Sequence, residues 1–231
     1  TATVGSGPLQ LGGMTLGSSE MVVSYVTSTQ TLSVTGTSSA TVSGLGTMNV
    51  GLGAGTTQGL VVTNGAFVSF AATVGINTQI AGGTFTSSST MTYSNVANTF
   101  TVTGSATEVF AGDKTLSLTL GSEADVANNI PATAGLVIKN NKLDSLNAKA
   151  IASNWTIAGG TFNATGLVTY AAASGGNPET LTVTGNASEV FGTGDSAKTL
   201  ALTLGTAADV ANGIPATAGL VIKNNKLDSL N

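Results

Sequence analysis

DVANNIPATAGLVIKNNKLDSLN, Asp125 to Asn147, returns as DVANGIPATAGLVIKNNKLDSLN, Asp209 to Asn231, with one change, Asn129 against Gly213. Two 23-residue segments this alike are copies of one structural unit, so the chain is read first as a repeat protein. Three further landmarks recur around them. A Gly-Gly turn appears as LGGMTL (Leu11 to Leu16) and as AGGTF at Ala81 and at Ala158. TLSVTG (Thr31 to Gly36) is followed by TFTVTG (Thr99 to Gly104) and TLTVTG (Thr180 to Gly185). TMNVGLG (Thr47 to Gly53) matches TLSLTLG (Thr115 to Gly121) and TLALTLG (Thr199 to Gly205), and GLVVTN (Gly59 to Asn64) matches both copies of GLVIKN. The order is the same each time. Aligning the Gly pairs divides the chain into repeats 1–70, 71–147 and 148–231.

Within a repeat the period is two. In TFTVTG, Phe100 and Val102 point one way and Thr99, Thr101 and Thr103 the other, which is a half-buried strand. β-Branched Thr and Val suit a pleated surface, and Gly closes each run. The expected fold is all-β: three tandem antiparallel β modules, small sandwiches, with one continuous β-solenoid as the alternative. Unequal repeat lengths favour modules, and repeats this short are expected to share apolar surface.

One short helix is expected in GSEADVANNIP, with Ser122 as N-cap and Asp125 three residues on; Thr206 and Asp209 keep the pattern. Asn129 and Gly213 then fall at its C-terminal end, where a left-handed backbone suits Asn or Gly, and Pro131 or Pro215 prevents continuation. Repeat 1 lacks this segment, because only six residue steps separate Gly53 from Gly59, against fourteen from Gly121 to Gly135.

Composition excludes several classes of function. Charged residues make up 8% of the chain, about a third of the usual quarter, and Met21 to Thr107 carries no formal charge. All basic residues are Lys, and His and Cys are absent, which removes His-based acid–base catalysis, thiol chemistry, disulfides and the usual zinc sites. A net charge of −4 without Arg argues against nucleic acid. Polar residues interrupt every apolar run, so no transmembrane helix is expected, and 5% aromatic content is thin for the girdles of a membrane barrel.

The acidic residues are the remaining candidates for chemistry. Glu108 and Asp113 recur as Glu189 and Asp195, flanking a turn, where carboxylates and backbone carbonyls can hold calcium. The alternative is solvated loop charge beside Lys114 and Lys198. No carboxylate pair or Ser–Lys motif marks a reaction centre, and no enzymatic activity is expected. Asn154, Asn163 and Asn186 each open an N-glycosylation triplet. Asn140–Asn141 and Asn224–Asn225 are expected to form Asx-type turns between strands, and Trp155 to pack between modules.

With units such as TLTVTG and TLSLTLG in a charge-poor, Cys-free chain of Thr, Gly, Ala and Asn, the sequence resembles prokaryotic surface-layer proteins and large repeat-containing adhesins. It is also similar to secreted filament subunits that polymerise by exchanging β-strands. It lacks the Gly-Asp nonapeptides of calcium-binding surface layers. The resemblance implies a secreted, cell-surface structural subunit that self-associates into a homopolymer, and the phase of the repeats gives the expectation that it does so through β-edge, head-to-tail contacts. The alternative it implies is an adhesin stalk or a module binding a cell-surface glycan. No cofactor beyond calcium is expected.

Overall fold

The computed structural model describes residues 2–3, 8–55, 57–212 and 214–231, and the side chains at 2, 3, 18, 19 and 195 lie outside that description. The chain is all-β, with no α-helix among the described residues and three short 3-10 turns, Val126–Asn128, Gly194–Ser196 and Val210–Asn212. No helix among them is long and apolar enough to cross a membrane. Repeat 1 supplies β1 (Ala2–Thr3), β2 (Leu9–Leu11), β3 (Met14–Val26), β4 (Thr31–Val42), β5 (Gly46–Leu52) and β6 (Gly59–Thr63). Next come β7 (Ala66–Ile80), β8 (Gly83–Ser94), β9 (Thr99–Phe110), β10 (Lys114–Leu120) and β11 (Gly135–Lys139). The rest are β12 (Lys142–Ile157), β13 (Gly160–Ala171), β14 (Thr180–Phe191), β15 (Lys198–Leu204), β16 (Leu220–Lys223) and β17 (Lys226–Leu230).

The expected alternation is present: Phe100 and Val102 are buried while Thr99, Thr101 and Thr103 are half-buried. Each repeat builds the same antiparallel pattern around one long strand. β3 pairs along β4 from Leu16↔Ala40 to Val26↔Thr31. On its other edge β4 pairs with two strands in a row, β5 against Gly36–Val42 and β6 against Thr31–Val34. β5 and β6 therefore share one lane, broken by an excursion that leaves at Gly53 and returns at Gly59. β7 then lies along both of them, from Asn49↔Gly75 to Thr63↔Ala66. In repeat 3, β14 pairs in the same way with β15 and then β16, and the excursion runs from Gly205 to Gly219.

The Gly pair at each excursion has a steric cause. Gly59 has φ +74°, and a Cβ there would collide with the Val34 carbonyl and lie 3.3 Å from the Gly53 nitrogen. Gly219, at φ +90°, meets the Val183 carbonyl and the Gly205 nitrogen in the same way. The two strand ends approach so closely that only hydrogen fits between them. The excursion itself stands outside the ladder, so its length is free to vary between repeats.

The Asn pairs form two-residue hairpin turns. Asn140 and Asn141 have φ 51° and 57°, Asn224 and Asn225 have 48° and 63°, and Asn64 precedes Gly65 at 52° and 75°. Positive φ at both central residues is a type I′ turn, whose twist matches that of its strands. This replaces the expected Asx turn. The same geometry holds at Gly12–Gly13, Ala81–Gly82 and Ala158–Gly159, so the turn begins one residue before the Gly pair in repeats 2 and 3, and the structure aligns Met14 with Gly83 and Gly160, one residue away from the Gly-pair phase.

The chain divides into two compact units, one made of Thr1–Thr78, Thr86–Ser105 and Leu136–Asp144, the other of Gln79–Phe85, Ala106–Gly135 and Ser145–Asn231. These do not follow the repeat boundaries. Positions 70/71 and 147/148 fall inside β7 and β12, and the second repeat contributes to both units. The first unit's core joins Phe70 to Phe100 edge-on at 5.6 Å, with Tyr93 4.7 Å from Phe100. The second is built on Phe85, Leu116, Leu120 and Phe162, all 1% exposed or less, with Trp155 6.3 Å from Phe162. Trp155 is a core residue of this unit and donates from Nε1 to the Thr115 carbonyl at 3.0 Å.

Candidate functional site

The four acidic candidates occupy different environments. Glu108 lies within β9 and is 0% exposed, and neither of its carboxyl oxygens has a hydrogen-bond partner. Burial, reinforced by the nearby Glu179 charge, pushes its pKa up to about 9, so it is a neutral acid at pH 7. Asp113 sits in the exposed turn after β9 with φ 57°. Glu189, in β14, is buried like Glu108, with its Oε1 unpartnered. The side chain of Asp195 lies outside the described residues. Glu108 and Glu189 are therefore core residues and not the solvated loop charges of the alternative reading. Among the described residues no three acidic side chains gather at one point.

A glycine in the neighbouring strand makes room for each buried acid. A Cβ at Gly83 would collide with Glu108 Oε1 and lie 2.7 Å from the Phe110 ring; one at Gly160 would lie 2.8 Å from Glu189 and 2.9 Å from Phe191. At the equivalent positions repeat 1 carries Met14, Ala40 and Val42, all buried to 1% or less. A large residue on one strand is exchanged for a large residue on the other, which keeps the core filled.

The glycosylation candidates share the second unit. Asn154 is exposed at a β-bulge, φ 57°, where the register shifts between Ala152 and Trp155. Its N–H donates to Asn163 Oδ1 at 2.9 Å. Asn163 and Asn186 line an open trough of 340 Å³ with Asn128 and Ser188.

The excursion after β10 departs from expectation at its start. Asp125 is the N-cap, its side chain accepting from the Asn128 N–H at 3.2 Å, and it pairs with Lys149 Nζ at 2.6 Å. Hydrogen bonds from Lys149 and Asn128 hold the Asp125 carboxyl down at about 2. Ser122 instead closes the loop base, its N–H donating to Thr133 Oγ1 at 2.8 Å. Thr206 and Thr217 repeat that contact at 2.8 Å. Asn129 is left-handed at the C-cap, φ 55°, as expected, and Gly213 lies outside the described residues.

The sequence did not point to the way turns of one repeat seat on the hairpin of the next. In the first unit, the Ser43 N–H donates to the Asn141 carbonyl at 3.0 Å and the Leu143 N–H to the Ser43 carbonyl at 2.9 Å. In the second, the Asn225 N–H donates to the Ala81 carbonyl at 2.7 Å, and the Ala111 N–H to Asn225 Oδ1 at 2.9 Å. Ser43 and Ala111 are equivalent residues, each following β4 or β9. Both contacts join repeat n to the Asn hairpin of repeat n + 1.

Repeat 3 has the same seat uncovered. Phe191 is 38% exposed where Phe110 is 5%, and Leu200 is 50% exposed where Leu116 is 1%. A Cβ on Gly159 would meet nothing within 4 Å. β10 pairs with β12 on its outer edge, from Leu116↔Ala152 to Leu120↔Ala148. Among the described residues β15 pairs only with β14 and leaves its outer edge open.

Comparisons with protein-family models, curated proteins and solved structures return no match.

Proposed function

We propose that this chain is a non-catalytic structural subunit of an extracellular, cell-surface assembly, a filament or a surface layer, built through head-to-tail β-edge contacts. The observation that carries the reading is a strand-edge joint that the chain itself uses twice, Leu52 facing Ala72 and Leu120 facing Ala148, in which the strand opening one repeat covers the edge of the repeat before it. An edge of this kind is a template for another strand, and soluble proteins ordinarily block it with charge, Pro or a covering element. A contact joining two different surfaces of the same subunit propagates into an open filament unless it closes a ring.

Electron microscopy of the purified protein, with and without EDTA, tests this. Ordered fibres or sheets are expected; a monodisperse monomer at high concentration would overturn the reading. Calcium at the Asp113 and Asp195 turns belongs to the same proposal as an optional reinforcement, and assemblies that dissolve in EDTA would assign it. The second reading, a glycan-binding module, is favoured by the amide-lined trough at Asn128, Asn163 and Asn186. It would be preferred if the monomer retained a glycan on an array.

A further inference from the structure

We infer that the cavity in the seat between the β9–β10 turn and the Asn224–Asn225 hairpin is a binding site for a small aromatic carboxylate. It measures 170 Å³ and is lined by Phe110, Trp155, Ile222 and Leu227, with Lys114 and Lys226 completing the wall. All six residues belong to the second compact unit. Phe110, Trp155 and Ile222 are 5% exposed or less, Leu227 and Lys114 are half-buried, and Lys226 is exposed.

The chain carries its own reference for this seat. In the first unit Val42, Gly46, Thr78, Ile138, Lys142 and Leu143 hold the places of Phe110, Lys114, Trp155, Ile222, Lys226 and Leu227. There the turn is bonded directly to the hairpin backbone, Ser43 giving its N–H to the Asn141 carbonyl and accepting from the Leu143 N–H. Its Leu45 is 0% exposed and Leu143 is 4% exposed. In the second seat the N–H of Ala111, the equivalent of Ser43, reaches only the side-chain Oδ1 of Asn225. The turn is thereby held off the hairpin backbone by the length of an amide side chain. Asp113, in the place of Leu45, is exposed at φ 57° and supplies no plug. Phe110 and Trp155 replace two smaller residues, yet they wall the remaining space and leave it open.

Size and charge identify the occupant. An apolar cavity of about 150 Å³ takes benzene, so one ring fits among Phe110, Trp155, Ile222 and Leu227. A ligand here needs few polar groups, each placed to fix its orientation. Those available are the ammonium groups of Lys114 and Lys226, neither of which pairs with a carboxylate among the described residues. The first seat has one such lysine, Lys142, because Gly46 stands where Lys114 does. Two unpaired cations beside an aromatic-walled cavity suit an anion carried on a ring, and a carboxylate matches their charge.

Trp155 is the sole tryptophan of the chain, so its emission reports on this cavity alone. The full chain is titrated with sodium benzoate, and a saturable change in that emission is expected, with a rise in melting temperature at saturation. A change that grows linearly with benzoate, or none, would overturn the inference. The triple variant Ala111→Ser, Asp113→Leu and Lys114→Gly rebuilds the turn of repeat 1 and is expected to abolish the response. A response it retains in full would place benzoate elsewhere. The variant Lys114→Gln with Lys226→Gln leaves the apolar wall intact and keeps the test open if the rebuilt turn fails to fold. It is expected to weaken benzoate several-fold and to leave benzyl alcohol, a neutral ring of similar size, unchanged. Equal losses for the two probes, or none for benzoate, would overturn the assignment of the lysines to a carboxylate.

Discussion

Glu108 is the residue whose chemistry departs furthest from its sequence context. It lies between Val109 and the Thr-rich run of β9, yet it is buried over Gly83 with no partner for either oxygen. Leaving polar atoms unpaired in a core costs about 1–3 kcal/mol, and the carboxyl limits this by keeping its proton. The folded pKa, near 9, lies well above the 4.5 of an ordinary glutamate carboxyl, because burial penalises the charged form. Its contribution is therefore fully present below pH 4.5 and declines as pH rises toward 9, because the unfolded chain ionises while the folded one does not. At pH 7 the loss is on the order of 3 kcal/mol. Glu108→Gln is expected to flatten this decline and to melt higher than wild type at pH 8 while matching it near pH 4.5. Parallel melting curves for the two proteins across that range would show that Glu108 ionises freely in the folded state.

At the scale of elements, the excursion after β10 is a short capped loop attached to a continuous ladder. Its C-cap requires φ 55° at Asn129, a conformation that costs a β-carbon residue other than Asn or Asp about 1 kcal/mol. Asn129→Ala is expected to lower stability by that amount. Asn129→Gly, which reproduces the sequence of the later copy, is expected to be neutral within ~0.5 kcal/mol. Chemical denaturation of the two variants checks the cap, and an unchanged midpoint for Asn129→Ala would remove it. Asp125 acts at the other end of this turn, capping Val126–Asn128 and pairing with Lys149 on β12. Its lowered pKa means that this support is present above about pH 4 and fades as pH falls through about 2.

At the scale of the whole molecule, the repeats are a sequence period laid over a fold that is not cut at the same places. β12 starts in one repeat and ends in the next, and its second half is the partner of β10. A fragment beginning at Ala148 separates Leu116–Leu120 from that partner and divides the Trp155 environment from Thr115. Residues 148–231 alone are therefore expected to give a poorly dispersed amide spectrum and no cooperative melting transition. A well-folded fragment would make the third repeat an autonomous module.

Strand class, alternation and turn positions were legible in the sequence because each depends on neighbours within a few residues. Thr-Phe-Thr-Val alternation, Gly pairs and Asn-Asn or Asn-Gly dipeptides set local backbone preferences that the fold adopts without conflict. The left-handed end at Asn129 was legible for the same reason. The N-cap was less so, because Ser122 and Asp125 are both competent caps, and the contact that separates their roles is Thr133 on the far side of the loop. Burial of Glu108 and Glu189 was not legible at all. It depends on Gly83 and Gly160 lying on the adjacent strand, a long-range steric match that no local pattern announces. The division into two compact units, the shared lane of β5 and β6, and the seating of one repeat's turns on the next repeat's hairpin belong to tertiary structure for the same reason. Local sequence determines which residues can form strands and turns; which strand edge is covered, and by what, is decided only when segments far apart in the chain compete for the same apolar surface.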